Sequence, residues 1–458
     1  MKSELRIVSP NGHLGFAPTK EESFAIAAAT RPDYYCCDSG SDDIGPAALG
    51  SDRSVSMYDW QRHDLELMLL AAREQGVPML VGSAGDCGTD SRVDMFVQII
   101  RDLAAEHRLP PFKLAYFYSE VGTGDLRDRM EREVVFEGLD GRADLDPATL
   151  DRTTRAVAVA GVHPFLEALR AGADVIIGGR SSDCAVFAAP AIHEGFPPEH
   201  AYYLGKVLEC ASFCAEPYGA KESVIGTVTH EDVKVTAMAP HQRCTVASVA
   251  GHAMYERSNP YYEHFAGGML DMSECRYEQY DERTTRVTGQ RYVPSGDGVR
   301  VKIEGSGRLG AKYIGIAGIR DPYTIANIDT VLDLVRGEVA AQFAEVPYHL
   351  NFRVFGKNGV MGDLEPVTEI RSHELCVVVE GVAETAELAE SVALLGTRQI
   401  FYARLPEVKG TAGTASFVVD EVLPASSAFE WTIHHTVPVA DPMELFTLRT
   451  VEIDGTAR

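Results

Sequence analysis

Glycine, serine and acidic side chains follow apolar runs at several points in the sequence. Residues 173–183 (ADVIIGGRSSD) pass from a run typical of a strand buried on both faces to a glycine turn that carries arginine and aspartate. Residues 33–43 and 78–90 have the same construction, and a fourth run, 113–118, ends at a Ser-Glu pair. Because open α/β sheets bind ligands beyond the carboxyl ends of their strands, we expect these loops to meet at one cleft.

The chemistry that these loops offer is the binding of an anion and the movement of a proton. An arginine after a buried strand suits two-point binding of a carboxylate. Glycines between a strand and a helix let backbone amides approach an anion and stabilise oxyanion charge. The residues that we expect to bind substrate are Ser39, Ser41, Asp42, Gly82, Ser83, Gly85, Asp90, Arg180 and Arg320.

Three side chains are candidates for moving the proton. Asp183 closes the central loop, and Lys206 and Glu209 are three residues apart, so they share one face of a predicted helix. We expect Asp183, Lys206 and Glu209 to be the catalytic residues. A structural alternative stays open, because Arg180 and Asp183 can pair to fix the loop, and a Lys–Glu pair is often a solvated surface feature.

The acidic loops raise the question of a metal site. Clustered carboxylates can bind a divalent cation or raise one another's pKa, but Ser and Asp also cap helices routinely. The nine cysteines do not have the spacing of a zinc site. The glycine loop is neither GxGxxG nor a P-loop, and it is not a nucleophile elbow. The sequence therefore leads us to no metal and to no named cofactor.

Composition restricts the partners and the compartment. The 458 residues carry a net charge of −25, which repels nucleic-acid phosphates and anionic lipid, so we expect neither nucleic acid nor membrane as a partner. No apolar stretch is long enough to span a bilayer, and no signal peptide is recognisable. Nine cysteines without an export signal favour reduced thiols in the cytoplasm. We also expect a homo-oligomer.

The elements that position these loops alternate between strand and helix over the first half of the chain. Helical spacing over 58–75 and 92–106, between short apolar runs, predicts an α/β fold with a parallel sheet and flanking helices in residues 1–219. Alternating and glycine-rich segments predict an α+β region over 220–345, packed on the first. A β-α-β-β pattern predicts a small C-terminal α+β domain of ferredoxin-like type over 346–458.

The order of several motifs along the chain resembles the acyclic terpene utilisation (AtuA-type) family. The motifs are the glycine loop at 82–88, GRSSD at 179–183, KVLEC at 206–210, TVASV at 245–249, MYERSNP at 254–260, GIRDP at 318–322 and FEW at 429–431. The resemblance covers most of the chain and implies a role in the catabolism of branched carboxylic acids, often as CoA thioesters. It also implies that a small accessory protein works beside this chain.

We therefore expect an enzyme that acts on a small-molecule carboxylate or CoA thioester, by a lyase (hydro-lyase) or isomerase step that begins with proton abstraction. Arg180 and Arg320 would hold the anion, and Asp183, Glu209 or Lys206 would move protons. Two alternatives stay open: a non-catalytic subunit that binds a ligand or a partner protein, and a metal-dependent hydrolase built on the acidic loops. Metal analysis and deuterium exchange into carboxylates and CoA esters distinguish the three.

Overall fold

The computed structural model describes residues 2–257, 259–296, 298–410, 413–419 and 421–457. Ser258, in the MYERSNP motif, lies outside the described residues. The chain divides into two compact units, one made of Met1–Gly307 with Trp431–Arg458 and the other of Arg308–Glu430. These limits differ from the three segments expected from the sequence, 1–219, 220–345 and 346–458.

The secondary structure alternates between strands and helices up to α9 and is richer in strands thereafter. The strands are β1 (Glu4–Ser9), β2 (Tyr34–Gly40), β3 (Met79–Asp86), β4 (Phe112–Tyr118), β5 (Glu137–Gly138), β6 (Arg155–Val159), β7 (Val175–Gly178), β8 (Val224–Thr229), β9 (Val233–Ala237), β10 (Tyr262–Phe265), β11 (Gly268–Asp271), β12 (Arg276–Gln279), β13 (Thr284–Thr288), β14 (Arg291–Pro294), β15 (Val299–Ile319), β16 (Tyr348–Phe355), β17 (Leu375–Ala383), β18 (Ser416–Phe417), β19 (Leu423–Val439) and β20 (Thr447–Ile453). The helices are α1 (Glu21–Ala29), α2 (Pro46–Ser51), α3 (Tyr58–Gln75), α4 (Asp90–Glu106), α5 (Thr123–Glu131), α6 (Pro147–Asp151), α7 (His163–Arg170), α8 (Ala185–His193), α9 (Pro198–Leu208), α10 (Val246–Ala253), α11 (Pro322–Ala326), α12 (Ile328–Gln342) and α13 (Ala386–Tyr402). Among the described residues, no helix is both long and apolar enough to cross a lipid bilayer.

A ten-stranded sheet forms the centre of the first unit, in the order β12-β13-β9-β8-β1-β2-β3-β7-β4-β20. Within it β1, β2, β3, β7 and β4 are parallel neighbours. Their apolar side chains alternate between two cores: Leu80 and Ile176 pack with α7, α8 and α9, whereas Val81 and Ile177 pack with α3 and α4. Both faces of the sheet are therefore covered by helices, which explains the continuous apolar runs of these strands.

The expectation of a parallel sheet is not confirmed for the sheet as a whole, which is mixed. Parallel pairing holds for the five central strands alone. On one side β8 pairs antiparallel with β1 and β9 pairs antiparallel with β8, and on the other side β20 pairs antiparallel with β4. Two strands joined by a short turn must run in opposite directions, so the β8–β9 hairpin adds antiparallel neighbours to the parallel core.

A three-stranded antiparallel sheet, in the order β10-β11-β14, packs against α9. The Tyr202 ring of α9 stacks on Phe265, with ring centroids 4.3 Å apart, and on Tyr292, with centroids 5.2 Å apart. Such aromatic pairs contribute about 0.5–1.5 kcal/mol beyond the area that they bury. These contacts hold the β10–β11 turn near Gly161, where a Cβ would lie 3.2 Å from the side chain of Ala266.

The second unit is built on antiparallel pairing of β16, β17 and the second half of β15. Helices α12 and α13 pack on these strands, through Val335 and Val392 in contact with the core around Val377. The ferredoxin-like domain expected over 346–458 is not confirmed. The unit includes part of β15, which precedes that segment in the chain, and it excludes residues 431–458.

Candidate active site

A cleft of about 590 Å³ lies in the first unit, beside the loop that follows β7. Its walls are that loop, the C-terminal end of α9, the β10–β11 turn and the start of β15. Small-molecule sites usually have volumes of about 300–1,000 Å³ and combine apolar walls with a few polar groups. This cleft has that size and composition, so it is the candidate active site.

Five of the twelve residues selected from the sequence line the cleft: Asp42, Arg180, Asp183, Lys206 and Glu209. Six others lie elsewhere in the first unit: Ser39, Ser41, Gly82, Ser83, Gly85 and Asp90. Arg320 is an exposed residue of the second unit, directly after β15. The structure therefore brings the loops after β2 and β7 together with the end of α9.

The Arg180 guanidinium is buried, with 5% of the residue exposed. Its Nε and Nη2 donate to the two carboxylate oxygens of Glu304, at 2.9 and 3.2 Å. Its Nη1 donates to the Ser83 hydroxyl at 3.2 Å, to the Ser181 carbonyl oxygen at 2.9 Å and to Asp183 at 3.1 Å. A two-point arginine–carboxylate pair is strong and directional. Arg180 therefore ties the loop after β7 to β3 and to β15.

Lys302 and Glu304 extend this network along β15, and the sequence analysis did not select them. Lys302 Nζ lies 2.9 Å from Glu304 and donates to Asp42 at 2.8 Å. Burial raises the pKa of the Glu304 carboxyl, but Arg180 and Lys302 lower it by more, so the pKa lies well below its usual value. Side-chain exposure rises from 3% at Glu304 to 26% at Lys302 and 33% at Arg300. The signal in the sequence is this alternation of charged residues on one face of a strand.

Lys206 and Glu209 form a buried ion pair at the end of α9. Lys206 Nζ contacts Glu209 and lies 4.7 Å from the centroid of the Tyr255 ring, and the Cys184 thiol donates to Glu209 at 2.9 Å. Gly205 allows this approach, since a Cβ there would lie 2.5 Å from the Cys184 carbonyl oxygen. Burial, partly offset by Lys206, raises the pKa of Glu209 to about 7, which suits proton transfer near neutral pH. The pair lies in the cleft wall and not on a solvated face.

Two more carboxyl groups near the cleft have raised pKa values. Burial raises the pKa of Asp38 well above its usual range, and the nearby Asp183 raises it further. For Asp183, enclosure by the surrounding protein raises the pKa, Arg180 lowers it and Asp42 raises it, with a net upward shift. Carboxyl groups with displaced pKa values in and beside a cleft are typical of functional sites.

Residues of the 254–260 motif complete the surroundings of Lys206, and no role was expected for them. Arg257 contacts Glu263, whose carboxylate also lies 3.7 Å from Lys206 Nζ. Burial, together with the charges of Lys206 and Arg257, lowers the pKa of the adjacent His252 to about 3. This histidine is therefore neutral near physiological pH, and the charges at this end of the cleft belong to the Lys, Arg and Glu side chains.

The glycine loop at 82–88 is buried and serves the close packing of backbone on backbone. A Cβ at Gly88 would lie 2.2 Å from the Arg180 amide nitrogen, and φ at Gly88 is +62°. The Ser83 amide donates to the Gly179 carbonyl oxygen at 3.1 Å. The loop does not line the cleft, so the amides that the sequence suggested for oxyanion binding lie outside it.

The remaining selected residues have local partners. The Ser39 hydroxyl donates to a backbone carbonyl at 3.4 Å. The Ser41 hydroxyl accepts from the Asp43 amide at 3.1 Å and caps a short 3₁₀ turn. Asp90 and Glu120 each accept from the backbone amide of the other, at 3.2 and 3.1 Å. These are the capping and loop-fixing roles that helix N-termini commonly need.

The start of α8 supplies amides that do belong to cleft residues. Asp183 and Cys184 line the cleft and immediately precede this nine-residue helix. In the part of the chain that the structure describes, their backbone N–H groups have no hydrogen-bond acceptor. The positive end of the helix dipole adds to their attraction for negative charge.

The acidic loops do not form a metal site among the described residues. In the cleft, Asp42, Asp183 and Glu209 are each paired with a Lys or Arg side chain instead. One described group, Glu66, Glu106 and His107, has the spacing of metal ligands. It lies on α3 and at the end of α4, where Arg62 already contacts both glutamates.

A comparison with protein families matches residues 5–436 to the acyclic terpene utilisation family protein AtuA. The chain belongs to this family. The match includes every residue that lines the cleft, and it confirms the resemblance drawn from the order of the motifs. Neither a curated protein nor a solved structure gives a significant match.

Proposed function

We propose that this member of the acyclic terpene utilisation family is an enzyme that moves a proton on a small carboxylic acid or its CoA thioester. The overall step is an isomerisation or an elimination of the hydro-lyase type. Glu209 takes the proton, Lys206 balances the charge of Glu209, and Asp183 supplies a proton later in the reaction. The family's link to acyclic terpene utilisation supports a branched, largely apolar substrate.

The observation that supports this proposal most strongly is the buried Lys206–Glu209 pair in the cleft wall. Taking two charges out of water costs free energy that their attraction often fails to recover. A pair retained at such a position is a candidate for function. The pKa of about 7 at Glu209 lets the carboxyl exist in both protonation states near neutral pH, as a general base requires.

The reaction begins with ionised Glu209. Its carboxylate takes a proton from the carbon next to the substrate carbonyl, and the electron pair of the C–H bond moves into an enolate. The amides of Asp183 and Cys184 stabilise the negative charge on the enolate oxygen. Return of the proton to another carbon completes an isomerisation. Departure of a hydroxyl group, which leaves as water with a proton from Asp183, completes an elimination.

Deuterium exchange tests this proposal. The full chain is incubated in D₂O with a panel of branched carboxylic acids and their CoA thioesters, and mass spectrometry measures the deuterium taken up. Glu209→Gln keeps the shape of the side chain and should lower the exchange rate about 10²–10⁴-fold. Glu199→Gln is the matched control, because it lies in the first turn of the same helix and does not line the cleft.

Three outcomes contradict the proposal. Ligand binding without exchange in the wild-type protein would favour the non-catalytic subunit. Exchange at the wild-type rate in Glu209→Gln would remove Glu209 as the base. Exchange that is lost on treatment with a chelator and restored by a divalent metal would point to metal-dependent chemistry instead.

A further inference from the structure

We propose that Lys302 binds the carboxylate of the substrate, in the place that the Asp42 side chain occupies in this structure. The proposal rests on the proposed function and assigns its substrate to one class, a free monocarboxylate with an apolar body. It also gives Arg180 a different role from the one expected from the sequence, namely that of a positioning residue.

Arg180 is already engaged by the protein. Its Nε and Nη2 donate to Glu304, and its Nη1 donates to Ser83, Ser181 and Asp183. A substrate carboxylate could bind its fork only by displacing Glu304, whose side chain is 3% exposed and held on β15. Arg180 therefore holds Glu304 and the β7 loop in position, and Lys302 is the cation next to it in the cleft.

The two partners of Lys302 differ in how easily they can move. Glu304 is fixed by Arg180 at one end of the network. Asp42 lies on a short 3₁₀ turn, and its side chain is 36% exposed. In the described residues, the Asp42 carboxylate makes one hydrogen bond, to Lys302 at 2.8 Å. Displacement of Asp42 therefore breaks a single contact and returns a carboxylate to water.

The charge balance of the cleft favours a substrate carboxylate that replaces the Asp42 carboxylate over one that binds in addition to it. Each of the five Lys or Arg side chains that line it among the described residues already contacts at least one carboxylate. A substrate carboxylate added to this set would be buried without a spare cation, at a cost in free energy. A substrate carboxylate that replaces Asp42 at Lys302 leaves the balance as it was.

The wall formed by the small sheet suits the remainder of such a substrate. Phe265, Met269 and Val293 line the cleft there and present apolar surface, and Gly267 at the turn adds no side chain. An apolar branch of the substrate would be removed from water against this wall, which is favourable in proportion to the area buried. The cleft therefore offers a charged end at Lys302 and an apolar wall to one and the same molecule.

Isothermal titration calorimetry with geranate, an acyclic terpene carboxylate, tests the proposal, with geranate methyl ester as the uncharged counterpart. Lys302→Met should weaken geranate binding about tenfold to a hundredfold, as expected for the loss of a charge-assisted bond, and should leave the ester unaffected. Asp42→Asn should tighten geranate binding about two- to fivefold, because a competing exposed ion pair is removed. Damage to the fold would not produce this tightening, and the loss of geranate binding in Lys302→Met assigns it to the lysine.

A second Lys–Asp pair provides matched controls for the change in net charge. Lys357 and Asp329 contact each other in the second unit and do not line the cleft. Lys357→Met and Asp329→Asn should bind geranate as the wild type does. If they reproduce the effects of the cleft variants, those effects are long-range electrostatics and the proposal is wrong.

The proposal is overturned if Asp42→Asn weakens geranate binding, if Lys302→Met binds it as the wild type does, or if the wild type fails to bind it at millimolar concentration. The readout is separate from catalysis, because Glu209→Gln should still bind geranate. Geranate binding that responds to Lys302 and Asp42, together with no deuterium uptake by any acid or CoA thioester of the panel, would support the carboxylate site and contradict the proposed proton transfer. If deuterium exchange is lost in Glu209→Gln while geranate binding does not change in Lys302→Met, the proposed proton transfer is supported and the carboxylate site at Lys302 is contradicted.

Discussion

Glu304 offers a direct test of how the cleft is held together. Glu304→Gln keeps the size of the side chain and one acceptor oxygen but removes the charge. In the native protein both carboxylate oxygens accept from Arg180, and Lys302 Nζ lies 2.9 Å away. The variant leaves a buried guanidinium facing a neutral amide, whose NH₂ group cannot accept from it.

The expected loss of stability is about 3–5 kcal/mol, the usual range when one partner of a buried ion pair is removed. Arg180 cannot give up its proton, and at 5% exposure it cannot reach water unless the β7 loop opens. Two contacts soften the loss, because Asp183 lies 3.1 Å from Arg180 and Asp42 lies 2.8 Å from Lys302. We therefore expect the low end of the range, about 3 kcal/mol.

Urea unfolding followed by tryptophan fluorescence measures this loss of stability in the first unit, which contains Glu304. Both tryptophans of the chain, Trp60 and Trp431, belong to the first unit. Glu278→Gln is the control, because Glu278 is an exposed residue of the same unit and is paired with Arg286 at 3.5 Å. Its loss should cost at most about 1 kcal/mol. A Glu304→Gln protein that is no less stable than this control would refute the reasoning.

Two further predictions concern pH and backbone packing. Between about pH 5 and pH 7 the wild type should lose up to about 3 kcal/mol of stability relative to Glu209→Gln. The reason is that burial raises the pKa of Glu209 from 4.5 to about 7. The stability that this shift contributes is fully present below the pKa of the unfolded state and is lost as pH rises through the pKa of the folded state. Parallel stability–pH curves for the two proteins would contradict this. Gly88→Ala should cost more than about 1 kcal/mol, because its Cβ would lie 2.2 Å from the Arg180 nitrogen at a φ of +62°. Gly251→Ala in α10 should gain up to about 1 kcal/mol, because its Cβ would meet no described atom within 4 Å beyond the adjacent backbone of its own helix. Equal effects of the two glycine substitutions in urea unfolding would show that the contact at Gly88 is unimportant.

Local pattern predicted the strand–helix alternation of an α/β fold, but it did not predict that the central sheet as a whole is mixed. Short apolar runs between amphipathic helices favour parallel pairing, which holds for the five central strands. Arg180 and Asp183 contact each other because both lie in the short loop after β7, three residues apart. Helical spacing placed Lys206 and Glu209 on one face. It could not show that this face is buried, because α9 is buried from His200 to its last residue and so has no clear polar side.

Contacts between distant parts of the chain explain what the sequence did not reveal. Glu304 meets Arg180 across 124 positions, and Lys302 meets Asp42 across 260. The segment that carries both has charged residues at alternate positions, as many half-exposed strands do, so this pattern alone does not identify their distant partners. The glycine loop illustrates a different limit: the same composition suits an amide cradle or close backbone packing, and only the neighbours, such as the Arg180 nitrogen beside Gly88, decide between them.

The position of the substrate carboxylate also determines whether binding disturbs the acid–base groups. Asp42 is one of the charges that raise the pKa of Asp183, and Asp183 in turn raises that of Glu209. A carboxylate that takes the place of Asp42 at Lys302 supplies the same charge at the same position, so both groups keep their affinity for protons. A carboxylate bound in addition to Asp42 would raise both pKa values further and leave Glu209 protonated at neutral pH. Replacement of Asp42 by the substrate carboxylate at Lys302 therefore keeps Glu209 able to accept a proton while the substrate is bound.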